Sequence, residues 1–332
     1  MTAVPTADPP GQQHVGTAGA RHGASVSGRG GAREPAVAPG RFTLDKLHAA
    51  LARICAGAGL DHRGATLLRF TNNAVFQLAS HPVVVRIVGS VALRHRVRKV
   101  VRVANWLAEH DVPAVRLLPG VAQPVRAGEH LATLWLTVPS GHRRADGRDL
   151  AVLLRRLHRL PPPDGLPPWQ PLDDVRRRLA DAEELAAEDR EFLERRCAEI
   201  ETQLAELRFP LPPAVVHGDA HVGNVILGRH GPVLCDFDST CLGPPEWDLT
   251  ALPVGVARLG HPSQWYRQLV AEYGFDVTGW SGYPVLRQVR ELKLTTSVLP
   301  ILRSNPAVRD ELHRRLADFR AGNTSSTWSP YR

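Results

Sequence analysis

Three residues with oxygen-bearing side chains, Asp219, Asn224 and Asp236, lie close together in the sequence, beside short apolar runs. The run at residues 214–216 leads into Asp219, and a hairpin at residues 225–235 separates Asn224 from Asp236. We expect these neighbouring strand ends to bring the side chains together. Two carboxylates and an amide suit a hard cation such as Mg²⁺, which shares its other ligand positions with water and phosphates. A carboxylate outside the metal shell can then take a proton from an attacking hydroxyl.

Taken one at a time, these aspartates are typical of turns and caps, so the assignment depends on their spacing. The chain has HGD at residues 217–219, four residues, Asn224, and then DFD at residues 236–238. This pattern resembles the catalytic core of the aminoglycoside phosphotransferase and choline kinase superfamily, which shares the protein-kinase fold. The run GPPEWDL at residues 243–249 is similar to the family's continuation. The resemblance covers residues 66–252.

The resemblance implies a role for each residue of the core. Asp219 is expected to be the catalytic base for the acceptor hydroxyl, and Asn224 and Asp236 to be ligands of the Mg²⁺ that bridges the phosphates of ATP. His217 is assigned to the catalytic machinery as a structural residue that holds the loop, with a direct proton role as the minor alternative. Asp238 could join the metal shell.

Asp248 and His221 are expected to lie near the catalytic core without taking part in the reaction. A buried Asp at position 248 needs hydrogen-bond donors, so we expect Asp248 to tie the following helix to the catalytic loop. His221 lies in the variable part of the loop, and we interpret it as a surface histidine.

The first part of the chain resembles the family less closely. Residues 67–78 look like the hairpin that covers the nucleotide, with Asn73 and Phe76 as ATP contacts, but a glycine-rich cradle is absent. Arg86 takes the place of the family's ATP-positioning lysine, and its planar fork is not equivalent to an ammonium. The helix expected at residues 91–109 has no acid before its last residue to pair with Arg86.

A hinge between two lobes is expected at the end of the strand at residues 131–137. Backbone groups of Leu136 and Val138 would bind the adenine there. Trp135 is interpreted as a packing residue rather than a stacking one, because aromatic side chains dominate protein cores. Pro139 ends the strand, as a hinge requires.

The periodicity of apolar residues predicts an α+β chain with a two-lobed protein-kinase-like fold: a small antiparallel-sheet lobe with one long helix, and a larger, mainly helical lobe. Strands are predicted at residues 65–78, 82–88, 115–118, 123–125 and 131–137. Helices are predicted at residues 42–56, 91–109, 149–160, 172–207, 262–272, 283–302 and 306–321.

Composition divides the chain into four segments. Residues 1–40 are rich in Gly, Ala and Pro and predict a disordered tail with no apolar secretory signal. Residues 41–138 are predicted to form the nucleotide-binding lobe, and residues 139–322 the catalytic and acceptor-binding lobe. Residues 323–332 are predicted to be a flexible tail.

Composition also excludes several classes of protein. The 332 residues are 43% hydrophobic and carry a net charge of +8, but the basic residues are scattered arginines, with only three lysines, so we expect no nucleic acid partner. The four cysteines match neither a disulfide framework nor a metal knuckle. No apolar run approaches a membrane span. We expect a cytoplasmic protein that is a monomer or weak dimer.

We therefore expect a phosphotransferase that uses ATP and Mg²⁺ to phosphorylate a hydroxyl of a small molecule, with an antibiotic such as an aminoglycoside as one candidate acceptor. The alternatives are a pseudokinase-like regulatory protein that binds nucleotide, and a protein Ser/Thr kinase, for which residues 239–245 leave little room for an activation segment. The acidic stretch at residues 172–207 could face a cationic acceptor, but it is more typical of a solvated helix face with ion pairs.

Overall fold

The structure is a computed structural model that describes residues 44–70, 73–88, 94–139, 141, 143–182, 184–303 and 305–331. The predicted tail at residues 1–40 lies outside the described residues, as does Asn72 in the predicted hairpin turn. No helix within the described ranges is both long enough and apolar enough to cross a bilayer.

Five strands and two helices form the first lobe. The strands are β1 Thr66–Phe70, β2 Asn73–Gln77, β3 Val83–Val88, β4 Val125–Ala127 and β5 His130–Leu136. The helices are α1 Leu44–Gly57 and α2 Arg94–Glu109. The strands make one antiparallel sheet in the order β1-β2-β3-β5-β4. Alternate residues of β3 are buried, so Val85 and Ile87 pack against helix α1 while Arg86 lies on the other face.

The prediction of a strand at residues 115–118 is wrong. This segment makes only isolated bridges, such as the one between Leu117 and Trp135. Pro113 and Pro119 flank the segment and lack the N–H groups that would extend a ladder.

Helices dominate the second lobe. They are α3 Gly147–Leu157, α4 Asp173–Asp181, α5 Ala187–Glu206, α6 Pro245–Leu259, α7 Ser263–Tyr273, α8 Tyr283–Thr295 and α9 Arg309–Arg320. The single helix predicted at residues 172–207 is wrong, because it divides into α4 and α5. The Arg190 guanidinium donates to the carbonyls of Leu179 and Ala182, the latter at 2.8 Å, and so satisfies the acceptors at the end of α4.

The prediction of a flexible tail at residues 323–332 is wrong for the part that the structure describes. Trp328 is 2% exposed, and its Nε1 donates to Asp318 at 2.7 Å. The guanidinium of Arg258 lies 4.4 Å from the centre of the Trp328 ring and donates to the carbonyls of Asn323 and Ser326. One tryptophan with cations around it is enough to anchor a segment whose composition is otherwise polar.

Two small sheets carry the motif residues. Strand β6 (Ala214–Val216) pairs with β9 (Cys241–Gly243), and β7 (Val225–Gly228) pairs with β8 (Gly231–Leu234). Residues 217–224 therefore connect β6 to β7, and residues 235–240 connect β8 to β9, so both motif segments run between the two small sheets.

Candidate active site

A buried carboxylate on α6 holds the loop that carries Asp219. The two oxygens of Asp248 accept the backbone N–H groups of His217 at 2.6 Å and Gly218 at 2.8 Å. His158, which directly follows α3, donates to the same carboxylate at 3.0 Å. Burial raises the pKa of Asp248, but the hydrogen bond and charge of His158 lower it by more, so the carboxyl stays ionised. The prediction that Asp248 ties the helix to the loop is confirmed.

Gly218 is required by a close approach between two loops. Its φ is +82°, and a Cβ at this position would lie 2.1 Å from the carbonyl oxygen of Ser239. Any other residue would push the catalytic loop away from the segment that follows Asp236.

Both ring nitrogens of His217 are used inside the loop. Its Nε2 donates to the carbonyl of Cys235 at 2.9 Å, and its Nδ1 accepts the N–H of Asp219 at 3.3 Å. The side chain is fully buried, and its ring packs on Phe237. These contacts favour a structural role, in which His217 links the catalytic loop to the end of β8.

Asp219 lies at the end of this loop with 48% of its side chain exposed. One carboxylate oxygen accepts a hydrogen bond from Arg290 of α8 at 2.9 Å, and the other lies 3.8 Å from Nε2 of His221. Desolvation raises the pKa of Asp219, but the positive charges of His221, Arg290 and Lys293 lower it by more. Asp219 is therefore ionised and ready to accept a proton at neutral pH.

Sequence reasoning missed Arg290. It is one of many arginines in the C-terminal helices, and nothing in its spacing separates it from the others. In the structure it is buried, and its guanidinium stacks 4.0 Å from the centre of the Trp247 ring.

This contact leads to a prediction about pH. Replacing Arg290 by Gln removes a positive charge that favours the ionised form of Asp219, so the acidic limb of kcat/KM is expected to move to higher pH by about one unit. The measurement is the pH profile of turnover for the parent, for Arg290→Lys, which keeps the charge, and for Arg98→Gln, an exposed control on α2. If the acidic limb does not move in Arg290→Gln, the charge of Arg290 does not favour the ionised form of Asp219.

Asn224 and Asp236 meet because of the register of the β7–β8 hairpin. Val225 faces Leu234, so the residue before β7 and the residues after β8 lie at the same end, where the Cys235 N–H donates to the Asn224 carbonyl at 3.0 Å. The amide nitrogen of Asn224 donates to the carbonyl of Asp219 at 2.9 Å. The structure thus brings Asp219, Asn224 and Asp236 together, as the spacing predicted.

The donor set fits a magnesium ion that is completed by phosphates. Within the described residues, no group of three or more His, Cys, Asp or Glu side chains could hold a metal ion. Asn224 and Asp236 offer two oxygen donors, and Mg²⁺ takes its remaining ligands from water and phosphate. Burial and the neighbouring carboxylate of Asp238 raise the pKa of Asp236, while Arg86 opposes this rise. A cation at this position would favour the ionised carboxylates.

Arg86 has its acidic partners in the DFD segment rather than on α2. The guanidinium forms an ion pair with the carboxylate of Asp238 and lies 3.8 Å from that of Asp236. On α2, Lys99 faces the same segment and donates to the carbonyls of Asp238 at 2.6 Å and Thr240 at 2.9 Å. Two cations therefore hold this segment, and Asp238 is bound to Arg86.

Phe76 is a wrong prediction as an ATP contact. It is fully buried in the core between the sheet and α1, with its ring edge against His48. The alternation of β2 places Phe76 and Ala74 on the core side, and Asn73 on the other face, where it pairs with Val88 of β3.

The residues predicted to form a hinge lie at the end of β5. The N–H of Leu136 donates to the carbonyl of Arg116 at 2.8 Å, and Val138 lies two residues beyond the strand. Trp135 is buried and packs on Phe237, with 6.2 Å between ring centres, which confirms its interpretation as a packing residue.

The sequence and the fold are similar to those of known phosphotransferases and kinases. A sequence model of the phosphotransferase enzyme family matches residues 67–291. Curated proteins give no match. Among solved structures, an amicoumacin kinase in complex with AMP-PNP, Ca²⁺ and Ami is 14% identical, with a TM-score of 0.63 over 86% of this chain and 96% of its own.

Two further structures share the fold. A microcompartment-associated aminopropanol kinase is 16% identical, with a TM-score of 0.61 over 85% of this chain and 99% of its own. An aminoglycoside phosphotransferase from Streptomyces rimosus is 24% identical, with a TM-score of 0.52 over 74% of this chain and 98% of its own. The predicted α+β, two-lobed kinase-like fold is confirmed.

Proposed function

The chain belongs to the phosphotransferase enzyme family, and from that premise we propose that it transfers the γ-phosphoryl group of ATP, with Mg²⁺, to a hydroxyl of a small molecule. The observation that carries the proposal is the convergence of Asp219, Asn224 and Asp236 on two loops that Asp248 and His217 hold together. The names of the similar structures, which include kinases for aminopropanol and for amicoumacin, support a small-molecule acceptor.

The chemistry follows from the charges at these atoms. The ionised carboxylate of Asp219 accepts the proton of the acceptor hydroxyl as the oxygen attacks the γ-phosphorus, and the bond from that phosphorus to the oxygen of ADP breaks. Asn224, Asp236 and phosphate oxygens would hold Mg²⁺, which would supply positive charge where the transferred group carries negative charge. Arg86 adds a cation beside the same carboxylates, and the loop contacts keep the groups in position.

We further propose that the enzyme works in the cytoplasm as a monomer or weak dimer and without a nucleic acid partner. The arginines are scattered along the sequence, which argues against a nucleic acid partner. Several of them pair with acids on the surface, for example Arg176 with Glu201 and Arg320 with Asp189. These pairs lie on α4, α5 and α9, so the acidic stretch at residues 172–207 is largely occupied by the protein's own cations.

The experiment that tests the metal role is a thermal shift assay on Asp236→Ala. We expect ATP to stabilise the parent more with Mg²⁺ than with a chelator, because a ligand that binds only the folded state raises its stability. We expect Asp236→Ala to lose most of this Mg²⁺-dependent increase in Tm, and Asp164→Ala, an exposed control, to keep it. An undiminished increase in Asp236→Ala would remove Asp236 from the metal site.

A second candidate function is nucleotide binding without turnover. The observation that favours it is the ion pairing of Arg86 with the carboxylates of Asp236 and Asp238, in place of a glutamate on α2. Mass spectrometry of an acceptor panel incubated with Mg-ATP separates the two, because only the transferase adds a phosphoryl group. A protein kinase is disfavoured, since residues 237–244, all of them described, form one short helical turn and β9 before α6 begins.

A further inference from the structure

A cavity of about 360 Å³ lies beside the catalytic loop, between α2, the start of α4 and α8. Its wall includes Arg96 and Lys99 of α2, Arg177 of α4, Lys293 of α8, and Gly218, which directly precedes Asp219. This volume is typical of pockets for small ligands.

One carboxylate in the wall of the cavity forms ion pairs with three cationic side chains. Asp174 accepts from Arg96 at 2.5 Å, from Arg177 at 2.7 Å and from Lys293 at 3.3 Å. The side chains of Arg96, Asp174 and Lys293 are between 13% and 18% exposed. Burial raises the pKa of Asp174, but Lys293 and Arg96 lower it far below its usual range. Asp174 is therefore ionised at neutral pH, and this one carboxylate faces two arginines and a lysine whose own pKa is lowered by burial.

The other charged groups at the cavity do not neutralise its positive charge. Lys99 donates to two backbone carbonyls, and Arg102 donates to the carbonyl of Gly165. Asp173 adds one further carboxylate to the lining, while the carboxylate of Asp238 is bound to Arg86. Burial, with the charge of Arg96 next, lowers the pKa of Lys99 to about 8, which still leaves it mostly protonated at neutral pH. The cavity thus has an excess of partly buried positive charge, which is costly without an anion.

One of these cations, Lys293, lies close in the fold to the residue that contacts the catalytic base. Lys293 lies one helical turn after Arg290 on α8, and Arg290 donates to Asp219 at 2.9 Å. Arg178 is partly buried and donates to the carbonyl of Lys293 at 2.9 Å. An acceptor whose hydroxyl meets Asp219 therefore has a positively charged cavity next to it.

We propose that the acceptor carries an oxyanion, a carboxylate or a phosphate ester, which binds the cations of the cavity, Lys293 and Arg177 among them, while the acceptor's hydroxyl faces Asp219. This inference rests on the proposed function and names the substrate class of that site. Arginine and lysine bind such groups through short, charge-assisted hydrogen bonds. A polycation such as an aminoglycoside would meet like charges here, so the antibiotic named above as a candidate acceptor does not suit the pocket.

Four compounds on one carbon skeleton test the proposal: glucose, glucosamine, gluconate and glucose 6-phosphate. Each is titrated calorimetrically into protein saturated with Mg-ADP, so that the nucleotide site is filled. We expect gluconate or glucose 6-phosphate to bind at least about tenfold more tightly than glucose, and the tighter of the two identifies the kind of oxyanion. Equal affinities, tighter binding of glucose or glucosamine, or no binding of either anion overturns the inference.

Variants locate the binding. Lys293→Gln and Arg177→Gln are expected to weaken binding of the anion about tenfold, Lys293→Arg to restore it, and Arg98→Gln, an exposed control on α2, to bind it like the parent. The two Gln variants remove different cations. Because the Arg177 side chain is 43% exposed, its replacement is expected to leave the protein folded. One folded Gln variant is enough to test the inference. Parent-like anion binding in a folded Gln variant overturns the inference. Mg-ATP binding to the parent is measured separately: its absence defeats the proposed function, whereas its presence without anion binding defeats only this inference.

Discussion

Asp219→Asn is expected to lower kcat by about 10²- to 10⁴-fold while affinity for Mg-ATP stays within about twofold of the parent. The amide cannot accept the hydroxyl proton as the carboxylate does. It keeps the shape of the side chain and an oxygen that can accept from Arg290, which lies 2.9 Å from the carboxylate. The fold of the loop depends on Asp248 and His217 rather than on Asp219, so the loop remains in place.

The measurement for Asp219→Asn combines ADP release with calorimetry of Mg-ATP binding. Asp164→Asn makes the same chemical change at an exposed carboxylate and is expected to behave like the parent. A loss in kcat of less than about tenfold in Asp219→Asn would show that Asp219 does not carry the proton in the rate-limiting step. A parallel loss of Mg-ATP affinity would place it in the nucleotide site instead.

The part of the site that sequence reasoning predicted is the part that local structure determines. Asn224 and Asp236 flank one hairpin, so the register of β7 and β8 alone brings them to the same end.

The alternation of buried and partly exposed residues in β2 argues against one of the two ATP contacts that the resemblance implied. Ala74 and Phe76 share the face that packs on α1, while Asn73, Val75 and Gln77 share the other. A strand with period two cannot present both Asn73 and Phe76 to a nucleotide. The strand pattern alone therefore predicts the burial of Phe76.

Contacts between distant elements were beyond sequence reasoning. Arg290 meets Asp219 across 71 positions, and Arg86 meets Asp238 across 152. Periodicity predicts which face of a helix is apolar, but the partner of a charge on α8 depends on how that helix packs against α6 and the loop. The three cations on Asp174 come from α2, α4 and α8, so this cluster exists only in the folded chain.

Arg86→Ala is expected to raise the apparent KM for ATP and lower kcat together, by about ten- to a thousandfold in kcat/KM. This range corresponds to about 1.4–4 kcal/mol, the scale of one charged contact in the transition state. Arg86 is 12% exposed and lies between the carboxylates of Asp236 and Asp238. Its removal leaves two adjacent carboxylates with one cation fewer, which raises the pKa of Asp236 further and displaces the group proposed to hold the metal.

Arg86→Lys distinguishes charge from geometry at this position. A lysine keeps the cation beside the carboxylates and the proposed phosphate site, and the family that the chain resembles has lysine there, so we expect kcat/KM within about threefold of the parent. Arg126→Ala removes an exposed arginine from β4 of the same sheet and is expected to change neither constant. ADP release over a range of ATP concentrations, with calorimetry beside it, gives both constants. If Arg86→Ala bound and turned over ATP like the parent, β3 would not be the strand that positions the nucleotide. A parent that binds ATP without releasing ADP with any acceptor would instead support the non-catalytic alternative, because no variant could then change turnover.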